Sequence, residues 1–372
     1  MGIGQSALEN LVTVDRDSWN SRSVLLTGHT GFKGGWLTIW LKRLGAQVHG
    51  YALDPPTIPS LFEVARVGSM LSSDTRADLA DLEALKRAID RARPDIVFHL
   101  AAQSLVREGY RSPIETLKTN VIGTAHVLEA VRGSNSVKAA VIVTSDKVYE
   151  NRESTHPYGE ADPLGGVDPY SASKACAEIA TASYRASFLD DRSGHPAHVA
   201  SVRAGNVIGG GDWATDRLVP DCLRAFAARE PVRLRFPRAV RPWQHVFEPL
   251  SGYLQLATRL LSAGGKDYAR AWNFGPDAAD QAAVHKIAEW AAQSWGPEGR
   301  VELAPSAEDP HEAGLLHLDS TLARSRLAWH PRWSVRQALE KTVAWQKAWL
   351  RGEDMAAFSM AQLADYNAAA QR

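Results

Sequence analysis

The sequence predicts an α/β protein: a doubly wound parallel sheet followed by a smaller C-terminal lobe. Three observations predict it. Short apolar runs alternate with amphipathic helical patterns from residue 22 to about 210. The first run ends in glycines spaced by three, Gly28, Gly31 and Gly34, and passes straight into a helix. After Gly209 the alternation loosens, and a chain of 372 residues that is 45% hydrophobic has material for a second lobe.

The elements follow in order. SVLLTG (23–28) is a leucine-rich buried strand. GGWLTIWLKRLGA is a helix, because Trp36, Ile39, Trp40 and Leu44 recur on one face and Gly45 stops it. QVHGYAL is the second strand. DLEALKRAIDRARP is a helix with Leu82, Leu85 and Ile89 on one face and Pro94 at its end. DIVFHLAA is the third strand, residues 114–133 one long helix, and VKAAVIVTSD the fourth strand. Residues 169–188 form another helix and 198–209 another strand. Such alternation builds a parallel, Rossmann-type sheet with right-handed crossovers. Beyond it come helices at 217–230, 248–263, 284–295 and 335–350, with a short strand at 231–236. The expected division is a dinucleotide-binding domain over 1–205, with 1–21 as an N-terminal extension, and a substrate lobe over 206–372. Segments near 235–260 are expected to return to the sheet. Trp329, Trp333, Trp345 and Trp349 read as packing residues. The tail after about residue 352, rich in Ala and Gln, has no legible pattern and is expected to be disordered.

Composition narrows the function. Formal net charge is zero, so no bulk electrostatic binding to nucleic acid or anionic membrane is expected. No apolar run approaches the roughly 18 residues of a membrane span. The first 22 residues carry acids and no apolar core, unlike a secretory signal. Two cysteines, Cys176 and Cys222, exclude a disulfide framework and fit a reducing, cytoplasmic setting. They have no zinc-ligand spacing, and no metal is expected.

The glycine turn has the strand–turn–helix context of a dinucleotide fingerprint, in which the pyrophosphate rests on the helix N-terminus. A nucleotidase phosphate loop would need lysine directly after its last glycine, then Ser or Thr. Here Lys33 precedes Gly34, which argues for the dinucleotide. Lys33 reads either as an extra cation at the pyrophosphate or as a solvent-exposed lysine. Asp54 reads as a ribose-binding acid that favours NAD over NADP, or as a turn residue before prolines. Asp74 reads as a cofactor neighbour or as a helix cap or turn residue.

A strand-end cluster, Ser145, Asp146 and Lys147, should face the cleft at the carboxyl edge of the sheet. Tyr170 and Lys174, four apart, share one helix face. A lysine beside a phenol lowers its pKa towards that of a useful base.

These residues carry a family resemblance. The chain resembles the extended short-chain dehydrogenase/reductases, and among them the nucleotide-sugar 4,6-dehydratases, most of all the branch acting on CDP-glucose. The match runs from VLLTGHTGFKGGWL to LAWHPRWS and includes FHLAAQSLVREGY, VIVTSDKVYENRE, DPYSASKACAE, RAGNVIGGGDWATDRLVPD, RPWQHVFEPL and WNFGP. The resemblance implies NAD as cofactor and a redox-neutral dehydration in deoxysugar synthesis. Tyr170 would take the 4-hydroxyl proton as hydride leaves C4, and Lys174 would lower its pKa and hold the nicotinamide ribose. Ser145 would hydrogen-bond the 4-oxygen, and Asp146 would protonate the departing 6-hydroxyl. Where dTDP-glucose members carry Glu as the C5 base, this chain has Lys147, which would be either that base or a cation stabilising the enolate. The resemblance also implies cofactor contacts from Gly28, Thr30, Gly31, Phe32, Lys33 and Gly34, from Thr75 with Asp74, from Leu100, Ala101, Ala102 and Gln103, and from Thr119. Ser104 and Arg107 would border the substrate, and Asn206 and Arg241 would hold its diphosphate. His245 and His311 would line the same pocket or be ordinary packing histidines. Helices containing Asn120 and Tyr170 would pair in a homodimer or a dimer of dimers. A 4-epimerase would share the turn and the Tyr/Lys pair but would need no acid for water loss.

Overall fold

A computed structural model describes residues 14–190, 192–304 and 315–369. Among these, seven strands form the central sheet: β1 (Ser23–Thr27), β2 (Gln47–Ala52), β3 (Ser73–Arg76), β4 (Ile96–His99), β5 (Ala139–Val143), β6 (His198–Ala204) and β7 (Ala271–Phe274). All pair in parallel, in the order β7-β6-β5-β4-β1-β2-β3. The chain winds outward from β1 to one edge, then returns to β4 and fills the other. The switch point between β1 and β4 is where such sheets open a crevice. Thr27 stands opposite Tyr51 on one side and His99 on the other, so three strand ends converge there.

Nine helices are used below: α1 (Phe32–Leu44), α2 (Leu82–Ala92), α3 (Gly123–Arg132), α4 (Pro169–Phe188), α5 (Leu218–Ala227), α6 (Phe247–Leu260), α7 (Val284–Trp295), α8 (Val335–Leu350) and α9 (Met355–Ala368). Strand side chains alternate between faces. Val24 and Leu26 of β1 therefore meet Trp36 and Trp40 of α1, Phe247 and Tyr253 of α6, and Tyr366 of α9. Leu25 points the other way, to Leu85 and Ile89 of α2 and Val127 and Val131 of α3. A further core joins α5, α7 and α8 through Phe226, Ile287, Trp295 and Leu339. Trp329, Trp333 and Trp345 are buried, as read. Truncating one such tryptophan to alanine would cost about 3–5 kcal/mol. Among the described residues no helix is long and apolar enough to cross a membrane.

Four features differ from the sequence expectation. The helix at 114–133 is interrupted by a π-helical turn, Lys118–Ile122, which turns Asn120 into the site. β3 was not anticipated, because this edge strand is polar and mostly exposed. The segment near 235–260 supplies two short strands and α6, whereas the strand that joins the central sheet is β7. The tail expected to be disordered forms α9. Asp354 caps it by accepting from the N–H groups of Ala356 and Ala357. The Tyr366 hydroxyl donates to Glu248 at 2.6 Å, and Arg332 donates to the carbonyls of Asn367 and Ala369 at 3.0 and 2.9 Å.

Candidate active site

The site is built where β1 meets α1. Gly28 has φ +77, and a Cβ on it would lie 2.6 Å from Ala101 N, so only glycine fits. A Cβ on Gly34 would sit 2.8 Å from Gly28 C and closer still to Gly28 O. Gly31 is different: a Cβ there meets only Gly28 O, at 3.4 Å. It borders open space at the N-terminus of α1, whose first turn has no side-chain cap and no acid. Those unpaired N–H groups and the helix dipole fit a pyrophosphate. Thr30 spends its hydroxyl on the Leu53 carbonyl at 2.9 Å, and Phe32 packs into the core, so both serve the cradle through backbone.

At the β2–β3 edge, Arg76 clamps Asp74 with two bonds of 2.9 Å and reaches Asp54 at 3.3 Å. His29, fully buried, bonds Asp74 at 2.9 Å. Asp74 is thus a strand residue holding His29 and Arg76, not a helix cap. Asp54 is 90% exposed in its side chain and stands at the rim, and Thr75 is half-buried between. At the end of β4, Thr27 ties the Ala101 N–H and His99 together, at 3.2 and 2.7 Å. Burial and the nearby Lys174 push His99 down to about 3, so it stays neutral. Leu100, Ala101, Ala102 and Gln103 run half-buried along this exit. Asn120, next to Thr119, clamps Gln103 with two bonds of 2.9 Å and donates to Ser173 of α4 at 2.8 Å.

Asp168 starts α4 by accepting from Ser171 N at 2.9 Å, with Pro169 in the first turn. This places Tyr170 in the first turn and Lys174 one turn later, both buried. Ser145 caps a 3-10 turn, Asp146–Val148, and its hydroxyl bonds Tyr170 and donates to Asp146 at 3.1 Å. The five expected catalytic residues are therefore gathered. Burial pushes Tyr170 up to about 12, with Asp146 adding to the rise and Ser145 and Arg217 opposing it. Lys174 is engaged elsewhere in this geometry, donating to the Val143 carbonyl at 3.4 Å. Burial pushes it down to about 8, against the pull of Glu178. Burial also raises Asp146 above the usual carboxylate range, against Lys147, Ser145 and Arg241. Its Oδ2 is buried without a hydrogen-bond partner, near Gly205. Behind it lies a polar seam. Burial alone would raise Glu178, but Arg203 at 3.0 Å, with Ser201 and Thr144 at 2.6 Å, holds it below its ordinary value.

The outer wall is cationic. Arg217 donates to Ser104 at 2.9 Å, pairs with Asp212 at 3.0 Å and acts on Tyr170. Arg107 and Arg235 meet Asp216 at 3.7 and 3.4 Å. Arg241 is buried beside Asp146, and Asn206 is half-buried where β6 ends. Sequence reasoning missed Arg217 and Arg235. Both lie in or near segments that carry the resemblance, but only the fold brings them to Tyr170 and Arg107. His245 is corrected: it is fully buried between Phe247 and Trp333, and burial with Lys341 pushes it down to about 3. It is a core histidine. His311 lies outside the described residues.

Comparisons with known proteins bear on the family and the fold. The GDP-mannose 4,6 dehydratase family model matches residues 25–342. A CDP-glucose 4,6-dehydratase of Salmonella typhimurium is 48% identical over 361 residues, covering 96% of this chain and 100% of that one. A dTDP-glucose 4,6-dehydratase of Xanthomonas campestris is 24% identical, covering 88% and 95%. Among solved structures, MoeE5 in complex with UDP-glucose and NAD is similar with a TM-score of 0.72 and 24% identity, covering 88% and 99%. A UDP-glucose-4-epimerase from Stenotrophomonas maltophila with bound NAD scores 0.75 at 22% identity, covering 89% and 99%. The solved structures show a fold shared with epimerases, and the match at 48% identity spans the whole of a dehydratase. The chain belongs to the GDP-mannose 4,6 dehydratase family, the NAD-dependent nucleotide-sugar 4,6-dehydratases.

Proposed function

We propose that this protein converts CDP-glucose to CDP-4-dehydro-6-deoxyglucose and water, in the cytoplasm. The observation that carries this is the buried acid Asp146, with an unpartnered oxygen, beside the Ser145–Tyr170–Lys174 group. Oxidation at C4 alone would need only the latter. When bound, NAD would supply the redox chemistry, as acceptor of the C4 hydride and its donor at C6. Tyr170, as its phenolate, would accept the 4-hydroxyl proton, and Ser145, already hydrogen-bonded to it, would hold the 4-oxygen. The 4-ketone makes the C5 proton acidic. That proton leaves as Asp146 protonates the 6-hydroxyl, so the C6–O bond breaks and one water departs. Lys147, next to Asp146 on the same turn, supports the C5 step. A proton would return to C5 as hydride reaches C6, and the proton that Tyr170 took from the 4-hydroxyl would restore Asp146 through solvent, which closes the cycle. Arg107, Arg217, Arg235 and Arg241 form the cationic wall for the nucleotide diphosphate. Residues to 205 serve the dinucleotide and 206–372 mainly the nucleotide sugar.

Purified protein given CDP-, dTDP-, GDP- and UDP-linked sugars side by side should remove one water from CDP-glucose, read by mass spectrometry. Unchanged mass with inverted C4 would mean an epimerase. Preference for another nucleotide would refute the substrate. A second copy of the chain is proposed to pack on the face bearing exposed Ile114, Leu117, Ile122 and Ile179. Light scattering at the monomer mass would refute it.

A further inference from the structure

Lys33 does not send its side chain where its backbone lies. The backbone belongs to the first turn of α1, in the anion cradle. The ammonium lies 5.8 Å from the centre of the Tyr253 ring on α6. Lys174, Arg217 and Asp146 all act on it there, so the side chain reaches from the cradle to the catalytic centre. Among the described residues it makes no ion pair. Tyr253 is fully buried and its hydroxyl has no partner. The pocket therefore holds an ammonium that no carboxylate neutralises by direct contact. Lys33 was read either as a cation at the pyrophosphate or as a solvent-exposed lysine, and its ammonium is enclosed beside Tyr253, not in solvent.

We propose that Lys33 is an interior cation of the redox end of the site and biases the bound cofactor towards its reduced form. The proposal rests on the NAD assignment above. Oxidised nicotinamide carries a positive ring, reduced nicotinamide does not, and both share the same diphosphate. An ammonium in the field of Lys174 and Asp146 opposes the charged ring and leaves the neutral one alone. It thereby favours oxidation of the sugar at C4. Burial, with Arg217 and Lys174, pushes Lys33 down to about 7, and Asp146 opposes this. The groups facing it are thus Arg217, Lys174, Asp146 and the Tyr253 ring. The charge is present below that value and lost above it, so the bias fades as pH rises through about 7.

Holoenzyme equilibrated with mixtures of oxidised and reduced cofactor, then rapidly desalted, gives the bound ratio from the near-ultraviolet absorbance of the reduced form. Lys33→Met should lower the preference for the reduced form by about tenfold. The wild-type preference should decline between about pH 6 and pH 8, and the variant's should not. Lys33→Arg should keep the preference and lose its pH dependence. The ratio is internal to the folded fraction, so partial unfolding does not mimic the effect. An unchanged ratio in Lys33→Met overturns the proposal. Equal weakening of both forms overturns it too, and assigns Lys33 to the diphosphate. If wild-type protein retains neither form, the NAD assignment itself falls, and this proposal with it.

Discussion

Two glycines of the same turn should fail in different ways. A Cβ on Gly34 would press on the Gly28 carbonyl and lie 2.8 Å from Gly28 C and 2.9 Å from His29 Cα. All are backbone atoms, so no side chain can move aside. Relief requires α1 to retreat from the β1 turn by a sizeable fraction of an ångström. Overpacking of this kind costs about 1–3 kcal/mol, and a rigid backbone contact belongs at the upper end. Gly34→Ala should lower the thermal midpoint by several degrees and also abolish bound nucleotide. On Gly31 the Cβ meets one atom at 3.4 Å, an ordinary contact, and φ is −80, which alanine adopts freely. Gly31→Ala should cost at most about 1 kcal/mol as a helix cap change. Its methyl nonetheless intrudes where the pyrophosphate should rest, so nucleotide retention should fall. The assay pairs calorimetry of nucleotide-free protein with nucleotide released on denaturation. Gly34→Ala with wild-type stability, or Gly31→Ala retaining full nucleotide, would refute the reasoning.

Other outcomes follow from the same geometry. Asp146→Asn should slow water loss by about 10²–10⁴-fold while C4 oxidation persists, seen as reduced cofactor accumulating; equal loss of both steps would count against Asp146 as the acid. Glu248 is buried and raised from 4.5 to about 7, chiefly by burial, against Tyr366 and the N–H groups of Trp333 and Arg332. Its stabilising contribution is therefore complete below about 4.5 and lost as pH rises through about 7, by about 3 kcal/mol at most. Glu248→Gln should flatten the dependence of unfolding free energy on pH in that window, and a wild-type slope would contradict this. Asp74→Ala should free Arg76 and raise affinity for NADP relative to NAD by about tenfold or more, read by calorimetric titration; an unchanged ratio would show that Arg76 does not face the ribose.

The strand–turn–helix at β1 and α1 was legible because periodicity and glycine spacing are local signals. So was α4, as the run 169–188 with Tyr170 and Lys174 on one face. β3 was not, since an exposed edge strand such as Ser73–Arg76 has little apolar residue to announce it. α9 was missed because it buries few side chains, Met355, Leu363 and Tyr366 among them, and its anchor Glu248 lies 118 residues away. The π-turn at Asn120 serves contacts with Gln103 and Ser173 and is not a local preference. Catalytic residue types were visible in the sequence. The direction of Lys33, the approach of Arg217 and the enclosure of His245 were set by packing that no motif encodes.

The polar seam behind the catalytic turn bears on how the two lobes relate. Arg203 donates to Tyr149 at 2.9 Å, Tyr149 donates to Asn273 at 2.7 Å, and Asn273 reaches the carbonyls of Tyr158 and Asp319 at 2.8 and 3.0 Å. Asn273 belongs to β7, which also completes the sheet beside β6. A fragment ending at residue 205 would expose the long edge of β6 and strand a buried tyrosine–arginine pair without its amide partner. The two lobes proposed above are therefore not autonomous folding units. Gene fragments cut at that boundary should yield aggregation-prone halves, which regain solubility only when produced together.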